Sequence, residues 1–132
     1  MASARVVVAD DMPEMIENIT RLLHRDFDIV GSVQNGEQAI AAAVTLDPDL
    51  LLLDISMPVF NGIQVASLLR SSGCRAKVIF LTVHEDQDYI DAAFSVGAAG
   101  YVFKSRVATD LILAVEEVLQ GYSFTSSSRR PS

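Results

Sequence analysis

Short apolar runs alternate along this chain with segments in which apolar residues recur every three or four positions. Five runs have the length and the β-branched content that are typical of buried parallel strands. They are residues 5–9, 27–33, 50–53, 77–81 and 100–103. The run 50–53 is four consecutive leucines, which indicates a strand that is covered on both faces.

The segments between these runs have the 3.6-residue periodicity of amphipathic helices. One helix is predicted to begin at Pro13, and the others are predicted over residues 36–45, 62–71, 85–97 and 108–120. A strand followed by a helix, repeated five times, requires a parallel sheet with helices on both faces. The pattern therefore predicts an α/β fold with a doubly wound, five-stranded parallel sheet.

The composition changes abruptly after Gly121. Residues 123–132 read SFTSSSRRPS and contain nothing apolar after Phe124. Ser, Arg and Pro in this proportion are typical of linkers and frayed ends. We therefore predict one domain over residues 1–121, followed by a linker or disordered tail over residues 122–132.

Composition narrows the class of protein further. Half of the 132 residues are hydrophobic and 20% are charged, which suits one globular domain with a core of its own. A single cysteine and two histidines are too few for a usual zinc cluster. No apolar run has membrane-spanning length, and the first residues lack the pattern of a signal peptide. We expect a cytoplasmic protein that does not bind membranes.

The net charge of -7 lies entirely in the first half of the chain. Residues 1–66 contain ten acidic and three basic side chains, whereas residues 67–132 contain seven of each. Nucleic-acid binders present clustered Lys and Arg, and this chain has no such cluster. Any contact with DNA would therefore need another domain.

Polar side chains follow four of the predicted strands at the point where each strand ends. They are Asp10, Asp11, Asp54, Thr82 and Lys104. Each alone fits a structural role, such as capping a helix or ending a strand. Ligands of open parallel sheets, however, bind outside the carboxyl ends of the strands. Agreement at four strand ends therefore favours one composite site.

Carboxylates this close to one another resist ionising together unless a cation lies among them. Mg²⁺ binds to carboxylate oxygens and often combines one or two of them with a phosphate. An aspartate beside such an ion can attack phosphorus and form an aspartyl phosphate. The predicted site is therefore a magnesium site for phosphoryl chemistry.

These residues resemble a known family over nearly the whole chain. The pair Asp10-Asp11, the segment 54–58 with Asn61-Gly62, Thr82, and the segment 100–104 resemble the receiver domain of two-component response regulators. The segments DISMPVFNGI and GYVFKS are most similar to those of the NarL/LuxR-type subgroup. Regulators of this subgroup carry a C-terminal helix-turn-helix domain, which this chain lacks. The resemblance implies a flavodoxin-like (CheY-like) sheet with strand order 2-1-3-4-5.

The resemblance implies a specific role for each acidic residue. Asp54 would be the phosphoacceptor and would take its phosphoryl group from the phosphohistidine of a sensor histidine kinase. Asp11 would bind Mg²⁺ directly and Asp10 would hold the ion through water. The backbone carbonyl of Ser56 would be a third protein ligand.

The resemblance also implies a conformational switch. Thr82 and Lys104 would contact the phosphoryl oxygens, and Tyr101 would turn inward when Thr82 moves towards the phosphoryl group. Ser56 and His84 occupy positions that in the family flank the attacking water and tune dephosphorylation. Many receivers have proline after the lysine, whereas this chain has Ser105, so we expect a trans peptide there.

The resemblance implies a signalling protein rather than an enzyme, since it would act only on its own aspartate, by phosphoryl transfer and slow autodephosphorylation. Homodimers could form through receiver faces, and DNA would be reached only through the absent C-terminal domain. A haloacid-dehalogenase-type phosphohydrolase is disfavoured because Ser56 stands where that family needs an Asp. No GxGxxG or GxxxxGK[ST] motif supports nucleotide binding. A phosphorylation-independent interaction module with the same fold is the remaining alternative.

Overall fold

The five predicted apolar runs form strands that all pair in parallel. A computed structural model of the chain describes residues 3–127. The strands are β1 Arg5–Ala9, β2 Asp28–Val33, β3 Leu50–Leu53, β4 Lys77–Thr82, β5 Gly100–Phe103 and β6 Phe124–Thr125. The helices are α1 Pro13–Leu23, α2 Gly36–Leu46, α3 Gly62–Ser71, α4 Gln87–Ser95 and α5 Val107–Leu119, with a 3₁₀ turn at Lys104–Arg106 before α5.

The strand order is β2-β1-β3-β4-β5-β6, which confirms the predicted order of the first five strands. The predicted number of strands was wrong, because residues 124 and 125 add a sixth strand beside β5. This strand has one apolar residue in a serine-rich segment and so gives no apolar run. It pairs with the outer edge of β5, which would otherwise be unpaired. Residues 128–132 of the predicted tail lie outside the described residues.

The core consists of two apolar layers, one on each face of the sheet. Helices α2, α3 and α4 cover the face that bears Leu51 and Leu53, and helices α1 and α5 cover the face that bears Leu50 and Leu52. All four leucines of β3 are at most 1% exposed. The prediction of a sheet covered on both faces is confirmed. None of the helices in residues 3–127 combines the length and the apolar content that crossing a bilayer requires.

The loop between β3 and α3 is shaped by Gly62, which packs directly under the end of β3. Its backbone N–H donates to the carbonyl of Ile55 at 2.8 Å. A Cβ atom at this position would overlap the backbone carbonyl of Asp54. Asn61 then caps α3, since its side chain accepts from the backbone of Gln64, and the Gln64 side chain accepts from the backbone of Asn61. These contacts therefore fix the position of the first residue of α3 relative to the end of β3.

We predict that Gly62→Ala lowers the free energy of unfolding by about 2–3 kcal/mol, because the new methyl group overlaps backbone atoms that cannot rotate away. Alanine in a helix normally has the opposite effect relative to glycine. Gly31→Ala is the control, since its Cβ would lie 2.9 Å from Leu46 Cδ1, the movable end of a side chain. Urea unfolding of both variants measures the difference, and equal effects would contradict this account of Gly62.

Candidate functional site

The carboxyl ends of β1, β3, β4 and β5 bring the predicted polar residues to one edge of the sheet. Asp10 directly follows β1, Asp54 follows β3, Thr82 ends β4 and Lys104 follows β5. Asp10, Asp54 and Thr82 are 1%, 4% and 0% exposed, whereas Asp11 is exposed to solvent. The structure therefore brings Asp10, Asp11, Asp54 and Lys104 together and places Thr82 at the same edge of the sheet.

The Lys104 ammonium links the two buried carboxylates. Its Nζ atom donates to Asp10 Oδ2 at 2.8 Å and to Asp54 Oδ2 at 3.0 Å. The other oxygen of Asp10 accepts the backbone N–H of Met12 at 2.9 Å. Buried charges are costly unless they are paired and hydrogen-bonded. Lys104 therefore allows two acidic groups to lie side by side beneath the surface.

The pKa of Asp54 reflects this environment. Burial raises it above the usual range for aspartate and neighbouring Asp10 adds to the increase, while Lys104 acts in the opposite direction. Burial alone would lower the pKa of Lys104, but its hydrogen bonds to Asp10 and Asp54 outweigh burial and the pKa is raised. Lys104 is therefore positively charged at neutral pH.

The acidic residues fit a divalent cation. One carboxylate oxygen from each of Asp10, Asp11 and Asp54 lies within 4.8 Å of the other two. Three convergent carboxylate oxygens are a donor set suited to a hard cation. The backbone N–H of Ser56 lies 3.4 Å from Asp54 Oδ1, so this loop borders the same cluster. The use of the Ser56 carbonyl as a ligand stays a prediction.

His84 connects the remaining predicted residues. Its backbone N–H donates to the hydroxyl of Thr82 at 3.3 Å, and its carbonyl accepts the hydroxyl of Tyr101 at 2.7 Å. Its imidazole Nε2 lies 2.8 Å from the hydroxyl of Ser56. The imidazole also stacks on the ring of Tyr89, with 4.1 Å between ring centroids. The spacing of Tyr89 within α4 contains no signal for this contact, and the sequence analysis missed it.

Tyr101 points into the core. Its side chain is 0% exposed and its ring packs edge-on against Phe103, with 6.0 Å between centroids. Burial raises the pKa of the phenol well above its usual range, so the hydroxyl stays protonated and can donate to His84. The Lys104–Ser105 peptide is trans, as expected, and no cis bond occurs within residues 3–127. The Ser105 hydroxyl donates to Glu85 at 2.7 Å and so ties the β5–α5 turn to the β4–α4 loop.

Comparison of the sequence with known protein families supports the same kind of site. The model of the response regulator receiver domain matches residues 6–116. The chain belongs to the response regulator receiver domain family. The match runs from β1 into α5 and includes each strand end that contributes to the site.

The relatives of this receiver domain are regulators of the NarL/LuxR type. YvfU, an uncharacterized transcriptional regulatory protein of Bacillus subtilis, is 35% identical over 89% of this chain and 60% of its own length. The nitrate/nitrite response regulator protein NarL of Escherichia coli K12 is 32% identical over 97% of this chain and 60% of its own. The chain therefore spans about 60% of the length of these curated relatives.

A solved structure agrees with the fold as well. The signal receiver domain of the putative response regulator NarL from Mycobacterium tuberculosis is 32% identical and has a TM-score of 0.88. The alignment covers 92% of this chain and 99% of that one. The flavodoxin-like fold and the membership of the receiver domain in the NarL/LuxR-type subgroup are thus confirmed.

We predict that Asp54→Asn raises the free energy of unfolding by about 1 kcal/mol at pH 7 in EDTA. The pKa of Asp54 is higher in the folded protein than in the unfolded chain, so folding favours the neutral group. The cost of the charged carboxylate is present above the folded pKa and is relieved as the pH falls below it. The advantage of the variant should therefore shrink on acidification.

Urea unfolding across a pH series measures this effect, with the exposed residue Asp26 changed to Asn as the control. Added Mg²⁺ should then stabilise the wild type more than Asp54→Asn, because the variant lacks one of the three carboxylates. A variant less stable than the wild type in EDTA would contradict the electrostatic account of Asp54.

Proposed function

We propose that this receiver domain is a phosphorylation-activated signalling switch, which accepts a phosphoryl group from a sensor histidine kinase onto Asp54 in a Mg²⁺-dependent reaction. The observation that carries the proposal is the pairing of buried Asp54 with Lys104 within a cluster of three carboxylates. Output would pass to a transcription-regulating, DNA-binding domain in a longer protein. A cytoplasmic location and a possible homodimer through receiver faces belong to the same proposal.

In the proposed reaction, a carboxylate oxygen of Asp54 attacks the phosphorus of the phosphohistidine. A P–O bond forms, the P–N bond breaks, and the imidazole nitrogen leaves with the bonding electron pair. Asp10, Asp11, Asp54 and the Ser56 carbonyl would hold Mg²⁺. When bound, this ion offsets the negative charge of the phosphoryl oxygens.

The charges of the site explain why the metal is needed. Asp10, Asp11 and Asp54 carry three negative charges and Lys104 carries one positive charge, so the local sum is -2. A divalent ion brings the sum to zero, and phosphorylation of Asp54 then changes it by only about one charge. An anionic donor would otherwise approach a site of its own sign.

The proposed switch uses Thr82 and Tyr101. The Thr82 hydroxyl now accepts from the backbone of His84, and a phosphoryl group on Asp54 would offer that hydroxyl an acceptor of its own. Movement of Thr82 would then break its hydrogen bond with the backbone N–H of His84. The carbonyl of His84 accepts the Tyr101 hydroxyl, so the position of Tyr101 would also be affected. Phosphorylation would thus shift the populations of two arrangements of β4, β5 and the loop between β4 and α4.

The alternative is a receiver-like interaction module that works without phosphorylation. The fold and the family are compatible with it, and the two proposals differ in whether Asp54 is chemically competent. The pairing of Lys104 with Asp54 favours competence, since a buried acidic cluster is costly and a purely structural domain does not need one.

We predict that incubation with acetyl phosphate and Mg²⁺ adds one base-labile phosphoryl group to the wild type and none to Asp54→Asn. Intact-mass spectrometry measures the adduct, and omission of Mg²⁺ should abolish it. A titration with beryllofluoride, which mimics the phosphoryl group, runs in parallel so that a poor small-molecule donor is recognised. Absence of both an adduct and beryllofluoride binding would favour the interaction module, and rapid continuous release of phosphate would favour a hydrolase.

A second prediction concerns the tuning role of Ser56 and His84. These side chains hydrogen-bond to one another at 2.8 Å, and the backbone of Ser56 borders Asp54. We infer that the pair limits the access of water to a phosphoryl group on Asp54. We expect Ser56→Ala and His84→Ala each to speed loss of the phosphoryl group about fivefold, the equivalent of one hydrogen bond of about 1 kcal/mol.

The double variant should lose the group no faster than either single variant, because all three lack the same hydrogen bond. Ser71→Ala, an exposed change at the end of α3, is the control. The decay of the phosphorylated mass provides the rates. Rates equal to that of the wild type would refute the tuning role.

A further inference from the structure

The segment that follows α5 returns to the sheet instead of leaving it. Gly121 makes the reversal with φ of +98°. The backbone N–H of Phe124 then donates to Ala99 at 3.1 Å, and that of Ser126 donates to Tyr101 at 2.8 Å. We call residues 122–127 the C-terminal strap. It lies along the outer edge of β5 as the sixth strand.

A buried polar contact fastens the strap to α5. Ser126 is 4% exposed, and its hydroxyl donates to Asp110 Oδ2 at 2.6 Å while it accepts the backbone N–H of Phe103 at 3.2 Å. Arg106 and Thr109 also donate to the Asp110 carboxylate, at 3.0 and 3.1 Å. Burial alone would raise the pKa of Asp110, but these hydrogen bonds, first that of Ser126, outweigh it and the pKa is lowered. Asp110 is therefore an ionised, strong acceptor.

The strap lies beside the proposed switch residue. Thr125 is the register partner of Tyr101, so the two side chains stand on the same face of the sheet. Without the strap β5 would be the edge strand, and the space on the outer side of Tyr101 would be open. The position next to it is occupied by Thr125. A docked strap therefore disfavours the outward position of Tyr101.

We propose that the C-terminal strap is a regulatory element that holds Tyr101 inward and thereby favours the phosphorylated form of Asp54, with the Ser126–Asp110 contact as its latch. This inference rests on the proposed function and extends it to residues outside the phosphorylation site. Coupling of this kind is reciprocal: if the docked strap favours phosphoryl binding, a phosphoryl group must favour docking by the same factor.

The test measures both directions of the coupling with beryllofluoride and Mg²⁺ as the probe. Hydrogen exchange of the Phe124 and Ser126 amides reports strap opening, because both donate to β5 or to the residue before it. We expect beryllofluoride to slow their exchange about fivefold, the lower end of typical allosteric coupling. We expect Ser126→Ala to weaken beryllofluoride binding by a similar factor.

Ser123→Ala is the matched control, since Ser123 is an exposed serine of the same segment. Asp110→Asn is the second variant, which weakens the latch from the other side and leaves the strap sequence intact. Circular dichroism shows whether each variant is folded, and only folded variants are compared. Ser123→Ala should bind the probe as the wild type does, and Asp110→Asn should resemble Ser126→Ala.

Each outcome is decisive. Unchanged exchange and unchanged affinity of Ser126→Ala, in a wild type that binds beryllofluoride, would overturn the strap proposal and leave the proposed function intact. Tighter binding by Ser126→Ala would overturn it as well, because the strap would then oppose phosphorylation. A wild type that neither binds beryllofluoride nor forms the acetyl phosphate adduct would overturn both proposals together.

Discussion

The rest of this site depends on one ammonium group. Lys104 places Nζ within 3.0 Å of two carboxylates that are almost fully buried. Without it, Asp10 and Asp54 could not remain charged side by side, and the edge of the sheet would have to open to water. Lys104 can reach both because β1 and β3 are neighbours and only β4 separates β5 from β3. Strand order and charge pairing therefore support one another.

The same strand end connects the chemistry to the surface. Lys104 follows β5 directly, and Tyr101 lies within β5 with its hydroxyl bound to the loop that carries His84. His84 in turn contacts Ser56 and Thr82. Hydrogen bonds and one ring contact thus connect the loop beside Asp54 with β5 and with α4. The stacked ring of Tyr89 is where these contacts meet solvent.

The outer edge of β5 adds a constraint of a different kind. It is paired with β6 through backbone hydrogen bonds, and a buried hydroxyl–carboxylate contact fixes that strand to α5. Contacts at two places therefore hold β5 in position. Lys104, which follows β5, is bound to the acidic residues of the site, and Ser126 binds to β5 from the edge of the sheet. Any rearrangement of β5 must therefore keep or break both sets of contacts.

The sequence alone determined the parallel α/β fold and the residues at the strand ends, because apolar runs and helical periodicity are local patterns and strand ends share one edge of a parallel sheet. It did not determine the sixth strand, since Phe124 is a single apolar residue whose partner, Gly100, is distant along the chain. Nor did it indicate the pairing of Ser126 with Asp110 or of His84 with Tyr89. Only the tertiary structure decided these contacts, because a buried hydroxyl or a stacked ring depends on which surfaces meet in space, and no local periodicity encodes that.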